Sequence, residues 1–203
     1  MKIWKKYSQY LMSGEWHIHT SYTDGKNSID EYCKKAVELG IPLVAFTEHV
    51  RKDLSYDFNS YLEDIDSARE HYNLIVLSGC ETKVLPDCSL DVGYDILEQV
   101  DYPIFAFHSF PNDIDKYLDA LYTVIKNPYV NAWAHPSMFL KKNILNITKG
   151  KLSQIFNWLD ENEVLIEINR KHNVPPSEWI NLAKSCRMNL VRGSDCHSVE
   201  ELR

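Results

Sequence analysis

No stretch of the 203-residue chain comes near 18 consecutive apolar residues, so no segment qualifies as a bilayer-spanning helix. The N-terminal MKIWKKYSQYLM starts basic but never builds the apolar run and small-residue cleavage site of a secretory signal. Cysteine is sparse: Cys33, Cys80, Cys88, Cys186 and Cys196 form an odd set with no C-x-x-C pair, which speaks against a disulfide scaffold. The expectation is a cytoplasmic protein with reduced thiols and no membrane partner. Low-complexity tracts, internal repeats and a Pro/Gly/Ser-rich linker are all missing, so one domain is expected over 1–203, with 1–12 as an N-terminal extension. Basic charge is also short. Lys and Arg number 22 against 29 Asp and Glu, a net charge of −7. That deficit weighs against holding long nucleic acid by counterion release, and leaves room for a small phosphorylated ligand or a strand end at a local basic patch.

What is present is ordinary globular material, 44% hydrophobic and 25% charged. A chain of this size buries roughly 70% of its unfolded surface and can keep a core without staples. Short apolar runs alternate with helical periodicity. Strands are expected at Glu15–Thr20, Leu43–Thr47, Leu74–Leu77, Ile104–Phe107, Val130–Ala134, Val164–Ile168 and Leu190–Val191. Between them, Ser28 and Glu31 form a capping box for a helix that stops at Gly40. Further helices are expected around Tyr61–Tyr72, Ile114–Ile125, Leu152–Leu159 and Trp179–Ala183. Near-continuous apolar strands alternating with amphipathic helices predict an α/β chain, a TIM-barrel-like parallel sheet of seven strands covered by helices.

The unusual polar residues fall at the C-terminal ends of these strands, where such barrels gather catalytic groups. His17 and His19 lie on the first strand, Glu48 and His49 follow the second, Glu81 the third and His108 the fourth. His135 ends the fifth, and Asp195 and His197 follow the last. Only His71 and His172 of the eight histidines lie elsewhere. Burying so many titratable groups without a compensating cation would be costly. In His17-Ile18-His19 the two-residue period puts both rings on one face, where they can grip one ion together, and Asp195-Cys196-His197 repeats the arrangement. Imidazole and carboxylate without thiolate suit zinc, manganese or iron. With Asp24, the candidate ligands are His17, His19, Asp24, His49, Glu81, His108, His135, Asp195 and His197, more than one ion needs, so two or three divalent ions are expected. Glu48 should point away from its neighbour His49, Asn169 is a candidate for orienting a ligand or water, and Trp4, Tyr7 and Tyr10 are expected to cap the barrel bottom.

The order HIHTSYTDG (17–25), FTEH (46–49), GCE (79–81), FHS (107–109), AHP (134–136) and GSDCH (193–197) resembles the PHP (polymerase and histidinol phosphatase) superfamily. GCETKVLPDCSLD, NPYVNAWAHP and LIEIN look most like the PHP domain of bacterial family-X DNA polymerases and its stand-alone relatives. The resemblance implies a distorted (β/α)7 barrel holding up to three divalent ions. It implies that His17, His19, Glu81 and Asp195 hold one, Glu81, His108 and His135 a second, and Asp24, His49 and His197 a third. Relatives place an arginine after A-H-P, where this chain reads SMFLKK, so Lys141 or Lys142 would substitute; the arginine expected further along the loop after E-I-N is replaced by Arg170-Lys171-His172 directly after Asn169. Relatives also continue into a closing helix, so the expectation is that this helix is short or absent here or that the chain is cut short.

Such a site suits phosphoester hydrolysis by attack of metal-bound hydroxide, with no side-chain nucleophile. The catalytic candidates are Asp195, His197 and His49, each able to deliver a proton to the leaving oxygen. Arg51, Lys52, Lys83, Arg170, Lys171 and Lys141 are the candidates for gripping phosphate. The expected activity is hydrolysis of a small phosphomonoester. The alternatives are a 3′–5′ exonuclease acting on DNA or RNA ends, a catalytically silent metal-binding regulatory subunit, and a metal-dependent amidohydrolase, for which Glu81 stands where a bridging lysine would be sought.

Overall fold

The computed structural model describes residues 1–203. Seven strands, β1 (Glu15–Ile18), β2 (Leu43–Val50), β3 (Ile75–Lys83), β4 (Tyr102–Ala106), β5 (Ala132–Trp133), β6 (Leu165–Asn169) and β7 (Leu190–Gly193), pair in sequence order and all in parallel. The sheet curls until its edges meet. His19 N donates to Cys196 O (2.8 Å) and Cys196 N to His17 O (3.0 Å), so the segment after β7 closes a nearly complete barrel against β1. This is the distorted, TIM-like (β/α)7 barrel. The helices are α1 (Ile3–Lys6), α2 (Ile29–Leu39), α3 (Phe58–His71), α4 (Tyr94–Gln99), α5 (Ile114–Ile125), α6 (Met138–Lys142), α7 (Lys149–Glu161) and α8 (Ser177–Ser185).

Local chemistry sets several of these boundaries. Ser28 Oγ accepts from Glu31 N and the Glu31 carboxylate accepts from Ser28 N, which starts α2. Gly40, at φ 67°, ends the helix in the left-handed conformation that glycine adopts without a Cβ penalty. Asp57 and Asp113 cap the N-termini of α3 and α5, each carboxylate accepting from two backbone N–H groups of the first turn.

Strands β2 and β3 run past the expected ends, to Val50 and Lys83, so His49 and Glu81 are strand residues and Gly79 lies inside a strand. A Cβ at Gly79 would meet Tyr102 O at 2.7 Å and Phe46 O at 2.8 Å, so the residue that reads as a breaker is one that permits close strand packing. The short helices α1, α4 and α6 carry too few residues for a periodic signal and were not expected. The last element is a 3-10 turn, Val199–Glu201.

Two apolar clusters divide the barrel. Leu43, Ala45, Leu77, Tyr102, Ile104, Ala106, Ala132, Leu165 and Val191 fill its lower interior, and Trp4, Leu11 and Trp16 seal the base. Trp4 Nε1 donates to Glu163 O (2.9 Å), fixing the N-terminal piece as a cap on the bottom. The alternate residues, Val44, Phe46, Val76, Cys80, Phe105, Trp133 and Ile166, face outward into the helices. The same inward face that is apolar below turns polar above, and places His49, Glu81 and Glu167 over the core.

Candidate metal centre

Strand β1 would aim its side chains wrongly if its period were regular. Trp16 lies in the interior cluster and Ile18 in the outer one, although two-residue alternation would put them on one side. The register shifts between Glu15 and Ile18 along β2, a bulge that turns His17 inward directly after Trp16. His19, just beyond the strand, returns to the same side, and the two Nε2 atoms stand 3.0 Å apart. On β5, Ala132 and Ala134 face inward, and His135 follows them inward because its φ of 28° breaks the alternation. Asp195 sits after β7 at φ 55°. Two non-glycine residues in the left-handed region, side by side in one site, are backbone strain of the kind that accompanies function.

Glu81 is the hub. Its Oε1 lies 2.7 Å from His135 Nε2 and 3.8 Å from His17 Nε2. Its Oε2 lies 3.0 Å from His49 Nδ1, 3.4 Å from His108 Nε2 and 3.7 Å from His19 Nε2. Asp195 Oδ1 lies 3.4 Å from His19 Nε2 and 3.5 Å from His197 Nδ1. On the open side, the half-exposed Asp24 carboxylate stands 3.2 Å from His197 Nε2 and 3.5 Å from His49 Nε2. Three tight ligand sets result: His17, His19 and Asp195; His49, Glu81 and His108; His19, His49 and His197. The first lies wholly within one implied grouping, while each of the other two takes two members from one grouping and one from another. His49 stands nearer Glu81 and His108 than the implied set places it, while His135 reaches Glu81 from the other oxygen.

The electrostatics of the cluster demand positive charge. Burial works to raise the Glu81 carboxyl, yet His108, His135 and His49 hold it well below the usual carboxylate range. Asp195 is likewise held low against burial by His172, His19 and His17. His19 is pushed down to about 4 by burial and by the neighbouring His17 and His49, which keeps it in the neutral form that ligates metal. His17 is opposed by burial but driven up to about 10 by Glu167. Two nitrogens are left without partners: His19 Nδ1 and His108 Nδ1 are buried with no hydrogen bond. Converging imidazole nitrogens, buried carboxylates and orphaned polar atoms are what divalent ions would satisfy, and the donor set fits zinc, manganese or iron.

Two residues outside the expected set complete the site. Glu167, on β6 and buried, accepts from His17 Nδ1 (2.6 Å), from the His135 backbone N–H and from Asn169 Nδ2 (3.1 Å). It shares the inward face of Asn169 by the two-residue period, and that spacing was the signal available for it. His172 Nε2 lies 2.9 Å from Asp195 Oδ2, so this histidine belongs to the site after all. It gets there because Asn169 Oδ1 accepts from His172 N in the loop after β6, a fold that no spacing announces. Glu48 turns away from His49, as expected, and accepts from Thr20 N (2.7 Å) and Thr23 Oγ1, fastening the loop that carries Asp24.

The basic candidates divide. Lys171 reaches the cluster, with Nζ 2.8 Å from His197 Nδ1 and 3.7 Å from Asp195 Oδ1. Arg51 does not face the cluster but turns to Val50 O (2.6 Å) and to Asp91 Oδ2 (3.7 Å). Arg170 is exposed, tied by its backbone N–H to Gly193 O (3.1 Å). Lys141, on α6, lines a separate cavity next to the site.

Comparison with known proteins follows this geometry. The family model for the PHP domain matches residues 15–171. The DNA polymerase/3′–5′ exonuclease PolX of Bacillus subtilis is 26% identical over 94% of this chain, but the chain spans only 35% of that protein's length. A probable phosphatase of Clostridium novyi is 29% identical over 89% of this chain and 77% of its own. Among solved structures, histidinol phosphate phosphatase of Lactococcus lactis, crystallised with zinc, L-histidinol and phosphate, superposes with a TM-score of 0.70. It covers 93% of this chain and 88% of its own at 17% identity, a likeness of fold. With the family model spanning β1 to β6 and the ligand candidates it frames, the chain belongs to the PHP domain family.

Proposed function

We propose that the chain is a phosphoester hydrolase that removes phosphate from a small monoester at two or three divalent ions. One observation carries this reading: nine imidazole and carboxylate side chains from six separate segments meet above an apolar barrel floor, with buried nitrogens left unpartnered. The probable phosphatase of Clostridium novyi, matched over most of its length, supports the same class. Divalent ions in such a site act as Lewis acids on phosphate oxygens and lower the pKa of water. The residues to hold them are His17, His19, Asp24, His49, Glu81, His108, His135, Asp195 and His197.

The chain's own groups divide the remaining work. Glu167 fixes the orientation of His17 and the backbone at His135. Glu48 fixes the Asp24 loop through Thr20 and Thr23. Lys171 sets a positive charge against His197 and Asp195, where a phosphate dianion would arrive. His49 and His197, half-exposed on the open side, are positioned to hold or hand over the proton that the leaving oxygen needs, with Asp195 beside His197.

An exonuclease reading rests on the PolX relative, which covers 94% of this chain. The net charge of −7 tells against it. The test is to supply manganese or zinc and compare a chromogenic phosphomonoester, the matching diester and an end-labelled oligonucleotide. Turnover of the monoester well above the other two is expected. Release of nucleotides from the oligonucleotide with an inert monoester would reverse the assignment, and inertness of all three with metal bound would refute phosphoester hydrolysis.

A further inference from the structure

The loop after β6 is fastened to the segment that carries Asp195. Asn169 N donates to Val174 O (2.8 Å) and Val174 N to Asn169 O (3.2 Å), which closes residues 170–173 into a tight loop. From that loop, Arg170 N donates to Gly193 O (3.1 Å), Lys171 Nζ donates to Asp195 O (3.3 Å), and His172 Nε2 stands 2.9 Å from Asp195 Oδ2. An ionised carboxylate only accepts, so His172 carries a proton on Nε2 and donates it there. Asp195 has a left-handed φ of 55°, which a non-glycine residue keeps only where its surroundings over-determine it. The three contacts supply that constraint.

They also divide the two oxygens of Asp195. Oδ1 faces His19 Nε2 (3.4 Å), His197 Nδ1 (3.5 Å) and His17 Nε2 (3.9 Å), while Oδ2 is bonded to His172. His17 is divided in the same way: Glu167 Oε1 accepts from Nδ1 (2.6 Å), and Nε2 is left for the cluster. Asn169 joins the two arrangements. Its Nδ2 donates to Glu167 Oε2 (3.1 Å) and its Oδ1 accepts from His172 N (3.0 Å). The His172 ring is itself half-buried and meets the His135 ring edge-on, 5.6 Å between centroids.

We infer that His172 is a positioning residue that makes Asp195 a one-oxygen ligand and so sets which metal the centre prefers. With Oδ2 held, His17 Nε2, His19 Nε2, Asp195 Oδ1 and one Glu81 oxygen make four ligand atoms, the number that zinc takes. Releasing Oδ2 would add a fifth and move the site towards the higher coordination that manganese accepts. The inference rests on the cluster's being a metal centre, as the proposed function requires, and not on which ester is hydrolysed.

Zinc outcompetes manganese at almost any site of nitrogen and oxygen ligands, so the measurement is the change in exchange between variants. The full chain saturated with manganese is titrated with zinc, and released manganese is followed by its EPR signal. His172→Phe keeps a ring against His135 but has no N–H, and should need about tenfold more zinc for half-displacement, the size of an orienting contact on a ligand. His172→Gln restores an N–H and should return close to the wild type. His172→Ala gives the same reading as His172→Phe in case the latter fails to fold. Cobalt loaded in place of zinc reads the ligand count, because four-coordinate cobalt absorbs visible light far more strongly than five- or six-coordinate cobalt. The absorption per bound ion should fall in His172→Phe and recover in His172→Gln. Wild-type exchange or a wild-type cobalt spectrum in His172→Phe overturns the role of His172, and so does an equal shift in the Phe and Gln variants, which would mark packing rather than the hydrogen bond. A wild type that holds neither ion overturns the metal centre and this inference together. The expected exchange with no ester hydrolysed upholds the role of His172 and overturns the phosphatase reading.

Discussion

Glu167 shows how much a side chain that need not touch metal can contribute. Its carboxylate holds His17, the His135 backbone and Asn169 together, and each of those contacts orients something that faces the cluster. Glu167→Gln keeps the volume but gives up the charge that holds the His17 ring. The expected result is a fall in metal affinity and turnover of roughly 10–100-fold with an unchanged far-UV spectrum; metal titration followed by calorimetry reads it directly. Gly193 guards the same group, because a Cβ there would stand 1.9 Å from Glu167 Oε1. Gly193→Ala is therefore expected to reproduce the Glu167→Gln metal-binding defect without altering any ligand, and wild-type metal affinity in that variant would show that the carboxylate has room to move.

At the scale of elements, the capping box of α2 and the N-terminal cap make separate contributions. Ser28→Ala removes the side-chain half of the box and should cost about 1 kcal/mol. For a chain of this size that is a Tm lower by about 2–4 °C. At the base, Lys2 donates to Pro128 O (2.7 Å) and to Val130 O, and burial lowers its pKa to about 8. The folded state therefore binds fewer protons than the unfolded state between about pH 8 and the ordinary lysine value of 10.5. The penalty for charged, buried Lys2 is complete below about pH 8 and fades as pH rises towards 10.5. Against Lys2→Met, the wild type should gain stability across that interval, as urea midpoints at pH 7.5 and 10 would record; a constant difference between the two proteins would place Lys2 in water.

For the whole molecule, the separation of floor and site decides how metal and fold are coupled. The apolar clusters include none of the ligand candidates, so chelation should abolish turnover and lower Tm while leaving the far-UV spectrum of a folded barrel. Readdition of manganese or zinc should restore both. His17→Ala and Asp195→Ala should behave as the chelated protein does, folded and without activity. Acid acts in the same direction, because imidazoles must lose their protons to ligate: activity should fall as pH drops below neutral, and a flat profile to pH 4 would contradict imidazole ligation.

The residue types and their order along the chain determined the fold class and the candidate ligands. Near-continuous apolar runs such as Leu43–Thr47 and Val164–Ile168, the Ser28–Glu31 box and the H-x-H pair are local patterns, and local patterns survive in a linear reading. Tertiary structure alone decided what surrounds them. The bulge that turns His17 inward, the strained backbone that aims His135 and Asp195, the arrival of His172 and the diversion of Arg51 to Asp91 all depend on neighbours distant in the chain. A side chain's type is local information; the direction it points once strands twist and bulge is not.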